Sequence, residues 1–255
     1  MKMGSEYHVG VVGLGSMGMG AALSCVRAGL STWGADLNVR ACETLKKSGA
    51  CGVSDNAAVF AEKLDALLLL VVNAAQVKQI LFGDNGVARH LKPGTVVMVS
   101  STIASADAQE IATALAAFDL DMLDAPVSGG AIKAADGEMT VMASGSDNAF
   151  ARLEPVLDAI AGKVYRIGKE PGLGATVKII HQLLAGVHIA AGAEAMALAA
   201  RAGIPLDVMY DVVTHAAGNS WMFENRMRHV VDGDYTAKSA LLQIVGGDKL
   251  IIPFC

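Results

Sequence analysis

Three polar residues near position 180 have the types and spacing that proton-transfer chemistry requires: Lys178, His181 and Gln182. Because they are three and four residues apart, they share one face if the segment is helical. A partly buried lysine there has a lowered pKa, so it can give a proton to a carbonyl oxygen or take one from a hydroxyl group. The simpler interpretations are a solvated or salt-bridged lysine and a packing histidine, and spacing alone leaves all of these open.

A glycine pattern near the N-terminus favours a phosphate-binding loop. Gly13, Gly15 and Gly18 have the spacing G-x-G-x-x-G and lie between a short apolar run and a helix-like run. The first glycine permits a tight turn, the second lets a pyrophosphate approach the backbone, and the third lets helix and strand pack closely. We therefore predict a dinucleotide site, with a glycine-rich packing turn as the alternative. The other residues of this loop are Leu14, Ser16 and Met17.

One acidic residue indicates which dinucleotide to expect. Asp36 directly follows a second strand-like run, Ser31–Ala35, close to the distance expected of a ribose-binding acid. A carboxylate there accepts hydrogen bonds from the ribose 2′- and 3′-hydroxyl groups and repels a 2′-phosphate. No arginine follows it directly, since Arg40 is four residues further on. The sequence predicts NAD rather than NADP, and a plain turn residue is the alternative interpretation of Asp36.

Strand-like and helix-like segments alternate up to about residue 167, which is typical of an α/β fold with a doubly wound, mostly parallel Rossmann-type sheet. Strands are predicted at 9–12, 31–35, 66–72, 95–99, 122–124, 139–143 and 164–167. Helices are predicted at 21–28, 40–48, 106–118 and 147–160, with Ser105 as the N-cap of the third. Such sheets bind ligands beyond the carboxyl ends of their strands. Asn73, Thr102 and the loop of Ser128, Gly129 and Gly130 follow predicted strands, so they are candidate binding residues.

The pattern changes at Gly168, where the alternation ends. A long helix is predicted over 175–202, with shorter helices over 206–216 and 221–231. The long helix exceeds what the sheet needs, so we interpret it as the centre of a second, smaller all-helical domain. The prediction is a dinucleotide-binding domain at 1–168 and a helical substrate and dimerisation domain at 169–255.

The composition argues against several other classes of protein. The 255-residue chain has a net charge of −5 and no basic stripe, so we expect no nucleic-acid partner. Its four cysteines lack zinc spacing, so we expect no metal site and reduced thiols in a cytoplasmic protein. The N-terminus has no apolar leader, and His188 and Glu194 interrupt the longest apolar stretch, which fits a buried helix better than a membrane span.

Four stretches together resemble the β-hydroxyacid dehydrogenase family, which includes 3-hydroxyisobutyrate dehydrogenase and tartronate semialdehyde reductase. They are GLGSMG at 13–18, SST at 100–102, DAPVSGG at 124–130 and GLGATVK at 172–178. The resemblance extends to about residue 240. The last two stretches are far more specific than the glycine pattern alone.

The resemblance implies NAD(P)-dependent oxidation of a small hydroxy acid, of the L-threonate or 3-hydroxyisobutyrate kind. Lys178 matches the family's catalytic lysine, and the loop at 128–130 matches the one that holds the substrate carboxylate. Thr102 matches a threonine that contacts the cofactor. Gln182 stands where the family usually has asparagine, so the amide is kept but reaches one methylene further.

The end of the chain departs from the family pattern. Gly246 and Gly247 stand where the family has a Lys-Asp pair, and Asp248 and Lys249 follow in reversed order. We interpret the second domain as truncated, so its long helix should expose an apolar face that favours a homodimer or larger oligomer. Two alternatives to the dehydrogenase stay open. One is a tartronate or succinic semialdehyde reductase that uses the same residues in reverse, and the other is an inactive NAD-binding protein.

Overall fold

The computed structural model describes residues 6–234, so the departures at 246–249 lie outside the described residues. The chain divides into two compact units, one ending at Lys178 and the other beginning at Ile179. This division falls inside a single long helix.

The first unit is built on one sheet, which has nine strands within the described residues. The strands are β1 (His8–Val12), β2 (Ser31–Ala35), β3 (Gly52–Ser54), β4 (Ala66–Leu69), β5 (Val96–Val99), β6 (Asp121–Asp124), β7 (Val127–Ser128), β8 (Met139–Gly145) and β9 (Ala161–Gly168). Their order is β3-β2-β1-β4-β5-β6-β8-β7, with β9 beside β8. The first six strands pair in parallel, whereas β8 runs antiparallel to β6 and β7. The predicted doubly wound, mostly parallel α/β sheet is thus confirmed.

Helices connect the strands and continue into the second unit. They are α1 (Ser16–Arg27), α2 (Val39–Lys47), α3 (Ala74–Phe82), α4 (Ser105–Ala116), α5 (Gly130–Asp136), α6 (Asp147–Ile160), α7 (Leu173–Arg201), α8 (Leu206–Thr214) and α9 (Trp221–Asp232). Two 3₁₀ turns, Ala57–Lys63 and Ala88–His90, complete the connections. The predicted helical segment after the sheet is therefore present.

The core lies on both faces of the sheet because its central strands are apolar throughout. Every residue of β4 and β5 is buried. Successive side chains of a strand point to opposite faces, so Leu68 joins one apolar cluster while Leu67 and Leu69 join the other. Helices α1 and α6 contribute to the first cluster, and α3 and α4 contribute to the second. Burial on both faces is what a parallel sheet with helical crossovers requires.

Some element boundaries differ from the predicted ones. Helix α1 begins at Ser16 rather than at residue 21, and β4 ends at Leu69 rather than at residue 72. Ser105 is the first helical residue of α4, not its cap, and Ala104 takes the cap position. The loop predicted at 128–130 instead spans the end of the short strand β7 and the start of the helix α5, and neither element was predicted.

In the second unit, the long helix α7 is buried along one side only. Ile179, Gln182, Ala185 and Met196 lie on the buried side, and Met196 packs in an apolar cluster with Phe223 and Met227 of α9. The helix is long and apolar enough to cross a membrane, with a mean hydropathy of 1.6. Its first turn, however, contributes Ala175 to the core of the first unit. We therefore describe α7 as a core helix.

Candidate active site

The glycine loop between β1 and α1 has the geometry of a phosphate cradle. Gly13 has a φ of +89°, and a Cβ atom on Gly18 would lie only 1.7 Å from the Gly13 carbonyl oxygen. A Cβ atom on Gly15 would meet nothing within 4 Å, so the space in front of the loop is open. No side chain caps the start of α1 at Ser16. Its first N–H groups are thus available to an anion, and Leu14 and Met17 belong to the same turn.

Asp36 is held against this loop by two backbone hydrogen bonds. Its Oδ2 accepts from Leu14 N at 2.6 Å, and its Oδ1 accepts from Asn38 N at 2.7 Å. The side chain is half-buried at the carboxyl end of β2. Each carboxylate oxygen can accept a further hydrogen bond, so the group can still receive two hydroxyl donors. The loop and the acid therefore fit the phosphates and the adenosine ribose of a dinucleotide.

The other predicted cofactor residues follow neighbouring strands. Asn73 follows β4 and caps α3, because its side chain accepts a hydrogen bond from Gln76 N at 2.9 Å. Thr102 follows β5 and is half-buried. Since β2, β1, β4 and β5 are adjacent in the sheet, all these groups lie along one edge of it. The structure thus brings the predicted cofactor residues to a single edge, although Asn73 already has a structural partner.

The predicted substrate loop is an open, glycine-lined turn. Ser128 ends the strand β7, which pairs with β8, and its side chain is half-buried. Gly129 and Gly130 have φ values of +135° and +73°, which favour glycine. A Cβ atom on Gly130 would meet nothing within 4 Å. The backbone N–H groups of consecutive glycines with positive φ can form an anion-binding turn. Together with the adjacent Ser128 hydroxyl group, they can donate hydrogen bonds to a carboxylate.

Lys178 is a buried ammonium group in the second turn of α7. Only 6% of the residue is exposed, and this burial lowers its pKa to about 8. Among residues 6–234, no carboxylate forms an ion pair with it. A lysine with these properties exchanges its proton near neutral pH, as a general acid or base must. The expectation of a buried, pKa-lowered lysine is therefore met by the structure.

Gln182 lies one turn further along α7 and is also 6% exposed. Its Oε1 is 3.2 Å from His181 Nδ1, so the two side chains are hydrogen-bonded neighbours. The amide NH₂ group of Gln182 remains a donor in this arrangement. His181 thus has a packing and hydrogen-bonding role, as its simpler interpretation suggested.

Comparisons with known proteins place this geometry in a family. Residues 8–168 match the model of the NAD-binding domain of 6-phosphogluconate dehydrogenase, and residues 172–245 match that of NADP-dependent 3-hydroxyisobutyrate dehydrogenase. The chain belongs to the NAD-dependent hydroxyacid dehydrogenases. It is therefore an oxidoreductase that binds a nicotinamide dinucleotide, as the resemblance implied.

Individual relatives agree with this family assignment. The chain is 87% identical to an L-threonate dehydrogenase of Escherichia coli K12, over 94% of this chain and 80% of that protein. It is 70% identical to an L-threonate dehydrogenase of Haemophilus influenzae, over 92% of this chain and 78% of that protein. A crystal structure called 3-hydroxyisobutyrate dehydrogenase, from Salmonella typhimurium, has a TM-score of 0.91 and 71% identity, over 97% of this chain and 86% of that one. These close relatives carry two substrate names.

Two features of this dehydrogenase were not singled out from the sequence. Leu37, directly after Asp36, is 88% exposed, so it presents an apolar surface beside this carboxylate. Asp124, in the DAPVSGG stretch, is completely buried and bonds to the start of α7. The leucine directly after Asp36 is visible in the sequence, so it could have been singled out there. The partners of Asp124 lie 20, 48 and 51 positions away in the sequence, so no local pattern indicates them.

No metal centre is suggested by the part of the chain from residue 6 to residue 234. That segment contains no group of three or more His, Cys, Asp or Glu side chains placed to hold a metal ion. Cys25 and Cys42 are buried free thiols, and Cys51 is an exposed one.

Proposed function

We propose that this dehydrogenase oxidises L-threonate, or a closely similar short polyhydroxylated acid, with NAD as the acceptor. The observation that carries the proposal is the buried Lys178, whose pKa of about 8 suits a base that works near neutral pH. The name shared by several relatives of 70% identity or more supports L-threonate as the substrate. In the proposed reaction, Lys178 takes the proton from the hydroxyl group that is oxidised.

The loop of Ser128, Gly129 and Gly130 is proposed to hold the substrate carboxylate. Its open glycine backbone lets an anion approach closely, and the Ser128 hydroxyl group adds a donor. Gln182 is proposed to bind a substrate hydroxyl group through its amide. Because glutamine reaches one methylene further than asparagine, this position suits a substrate with more hydroxyl groups than 3-hydroxyisobutyrate.

The cofactor site is proposed to prefer NAD over NADP. The dinucleotide supplies hydride-transfer chemistry when it is bound. The backbone around Gly13, Gly15 and Gly18 would hold its phosphates, and Asp36 would accept hydrogen bonds from the ribose hydroxyl groups. A 2′-phosphate would meet the negative charge of Asp36 instead. Thr102 and Asn73 are proposed to contact the cofactor from the ends of β5 and β4.

The proposal extends to the organisation of the protein. Residues 1–168 would bind the dinucleotide, and residues 169–255 would complete the substrate site and mediate a homodimer or larger oligomer. We further propose a cytoplasmic location, where reduced thiols such as those of Cys25 and Cys42 are stable.

The test is an assay of the purified chain for NADH formation with L-threonate, D-threonate and 3-hydroxyisobutyrate. We expect L-threonate to give the highest kcat/KM, and NAD to be preferred over NADP with each acid. Reduction of tartronate and succinic semialdehydes is measured in parallel. A preference for a semialdehyde, or the absence of turnover with every hydroxy acid, would contradict the proposal.

A further inference from the structure

One buried carboxylate joins the sheet to the helix that carries Lys178. Asp124, the last residue of β6, is completely buried. Its Oδ2 accepts hydrogen bonds from Gly172 N at 2.8 Å, from Ala175 N at 2.9 Å and from the Ser144 hydroxyl group at 3.3 Å. Two of these three donors belong to the beginning of α7. The first N–H groups of a helix have no partner within the helix, so this carboxylate supplies one.

Ser144 completes the attachment from the neighbouring strand. It lies directly opposite Asp124 in the antiparallel pairing of β6 and β8. Its Oγ accepts a hydrogen bond from Gly174 N at 2.9 Å. Asp124 and Ser144 together therefore bind three backbone N–H groups between residues 172 and 175. The negative charge also lies where the helix dipole favours it.

Two glycines at the start of α7, one just before it and one in its first turn, allow this close approach. Gly172 has a φ of +103°, which other residues rarely adopt. A Cβ atom on Gly174 would lie 2.5 Å from the Met142 carbonyl oxygen and 2.7 Å from that of Asp124. Any larger residue would push the helix start away from the two strands. Gly174 therefore allows the start of α7 to lie against the strands that carry Asp124 and Met142.

The substrate loop is attached to the same pair of strands. Pro126 O accepts a hydrogen bond from Met142 N at 3.0 Å, and Ser128 pairs with Thr140 in β8. Strands β6 and β8 therefore hold the loop at 128–130 and the first turn of α7 at once. Lys178 is the sixth residue of that helix, so a shift of the first turn moves its side chain.

We propose that Asp124 is a positioning residue: its carboxylate fixes the first turn of α7 and thereby sets where Lys178 Nζ lies relative to the loop of Ser128, Gly129 and Gly130. The inference rests on the proposed role of Lys178 as the base. In this proposal, the aspartate of the DAPVSGG stretch fixes the position of the base relative to the substrate loop.

The variant Asp124→Asn separates shape from charge. Asp124 Oδ1 has no protein partner among the described residues, so asparagine can offer its one oxygen to the three donors and place its NH₂ group at the Oδ1 position. Asp124→Ala removes the acceptor altogether, and Ser144→Ala removes only the support from β8. The matched control is Asp121→Asn, three residues earlier in the same strand, whose carboxylate bonds to Ser146 and Met122 instead of α7.

Two readouts need no turnover. Hydrogen exchange of the peptide that contains residues 172–178 should be faster in Asp124→Ala and Ser144→Ala than in Asp121→Asn. The pH dependence of trinitrobenzenesulfonate labelling of Lys178 gives the pKa of its amine. If Asp124 positions the helix, its loss lets water reach the amine, and the pKa rises from about 8. If Asp124 acts through its charge, its loss makes the ammonium less favourable, and the pKa falls.

Turnover then tests whether the position matters for the reaction. We expect kcat of Asp124→Ala to fall by about tenfold to a hundredfold, because misplacement by about 1 Å has an effect of that size. We expect a smaller loss in Ser144→Ala, unchanged NADH affinity in all variants, and near-normal kcat in Asp121→Asn. If Asp124→Ala does not fold, Ser144→Ala tests the attachment of the helix and Asp124→Asn tests the effect of the charge.

Unchanged exchange and unchanged kcat in Asp124→Ala and Ser144→Ala would overturn the inference, as would a lowered pKa of Lys178 in any of the three variants. If the unmodified protein oxidises no hydroxy acid, the proposed function fails. In that case, hydrogen exchange and labelling still decide whether Asp124 holds Lys178 in place.

Discussion

At the scale of single residues, the proposed site rests on one buried amine and one carboxylate at the edge of the sheet. Lys178 is buried without an ion-pair partner among the described residues, so burial lowers its pKa. Asp36 remains half-buried and bonded to the glycine loop. The first group suits proton transfer, and the second suits recognition of neutral hydroxyl groups.

Replacing the lysine tests its role as the base. We expect Lys178→Ala to lower kcat by about 10² to 10⁴, the usual contribution of general acid–base catalysis. NADH binding should change little, because the phosphates are proposed to bind at Gly13, directly after β1, whereas Lys178 lies on α7. Fluorescence titration with NADH provides the control. Near-normal turnover would exclude Lys178 from the mechanism.

The pKa of Lys178 predicts opposite pH dependences for the two directions of the reaction. Oxidation requires the neutral amine, so kcat should rise with pH and level off above about 8. Reduction requires the ammonium group, so kcat should fall as pH rises through the same value. Steady-state rates measured in both directions across this range check the prediction. If kcat changes in the same direction with pH for oxidation and for reduction, the prediction is wrong.

Removing the charge of Asp36 tests the cofactor preference. We expect Asp36→Asn to lower the ratio of NAD to NADP affinity by about tenfold, since hydrogen bonds to a charged group are worth ~1.5–3 kcal/mol. Asp55→Asn, which changes an acid after the neighbouring strand β3, is the control and should leave the ratio unchanged. Equal affinity for both cofactors in the unmodified protein would show that Asp36 does not discriminate.

At the scale of elements, helix α1 connects the glycine loop at 13–18 with the proposed substrate loop at 128–130. A Cβ atom on Gly20 would lie 2.6 Å from the backbone of α5 at Ala134. Ser24 Oγ also donates a hydrogen bond to Ala134 O at 3.1 Å. Helix α5 begins at Gly130, so its close packing on α1 fixes the end of the substrate loop.

This packing gives a prediction for Gly20→Ala. The added methyl group should push α5 away from α1, at a cost of about 1–3 kcal/mol of stability. Because α5 carries the substrate loop, KM for the hydroxy acid should rise while NADH affinity changes less. Gly218→Ala is the control, because a Cβ atom there has only Val213 at 4.0 Å. Chemical denaturation measures the loss of stability, and steady-state kinetics measure KM. An unchanged KM would show that the position of α5 does not affect binding of the hydroxy acid.

The elements also show what the sequence could predict. Strand β2 and helix α6 have the predicted bounds, because continuous β-type and helical patterns end at clear turn signals there. Helix α1 was predicted too short because Gly18 and Gly20 are poor helix formers, yet close packing requires them. Helix α5 was missed because Gly129 and Gly130 indicate a turn. Asp124 was missed because its donors, Ser144, Gly172 and Ala175, come close to it only in the folded chain.

At the scale of the whole molecule, the remaining question is what covers the exposed side of α7. Ile180, Leu183, Leu184 and Val187 are spaced as one helical face, and between 42% and 56% of each is exposed. Together they form an apolar stripe on the second unit. Contiguous exposed apolar patches often mark sites of protein–protein association. We therefore expect it to be covered by a second copy of the chain.

A charge placed on this stripe tests the expected oligomer. We expect light scattering to give at least the mass of a dimer for the unmodified chain, and Leu184→Lys to shift it towards the monomer. A lysine there would have to be buried unpaired in the interface, which is strongly unfavourable. Val212→Lys is the matched control, because Val212 is also an exposed apolar residue of the second unit, but on α8. A monomeric unmodified protein, or equal dissociation by both variants, would show that the stripe is not the interface.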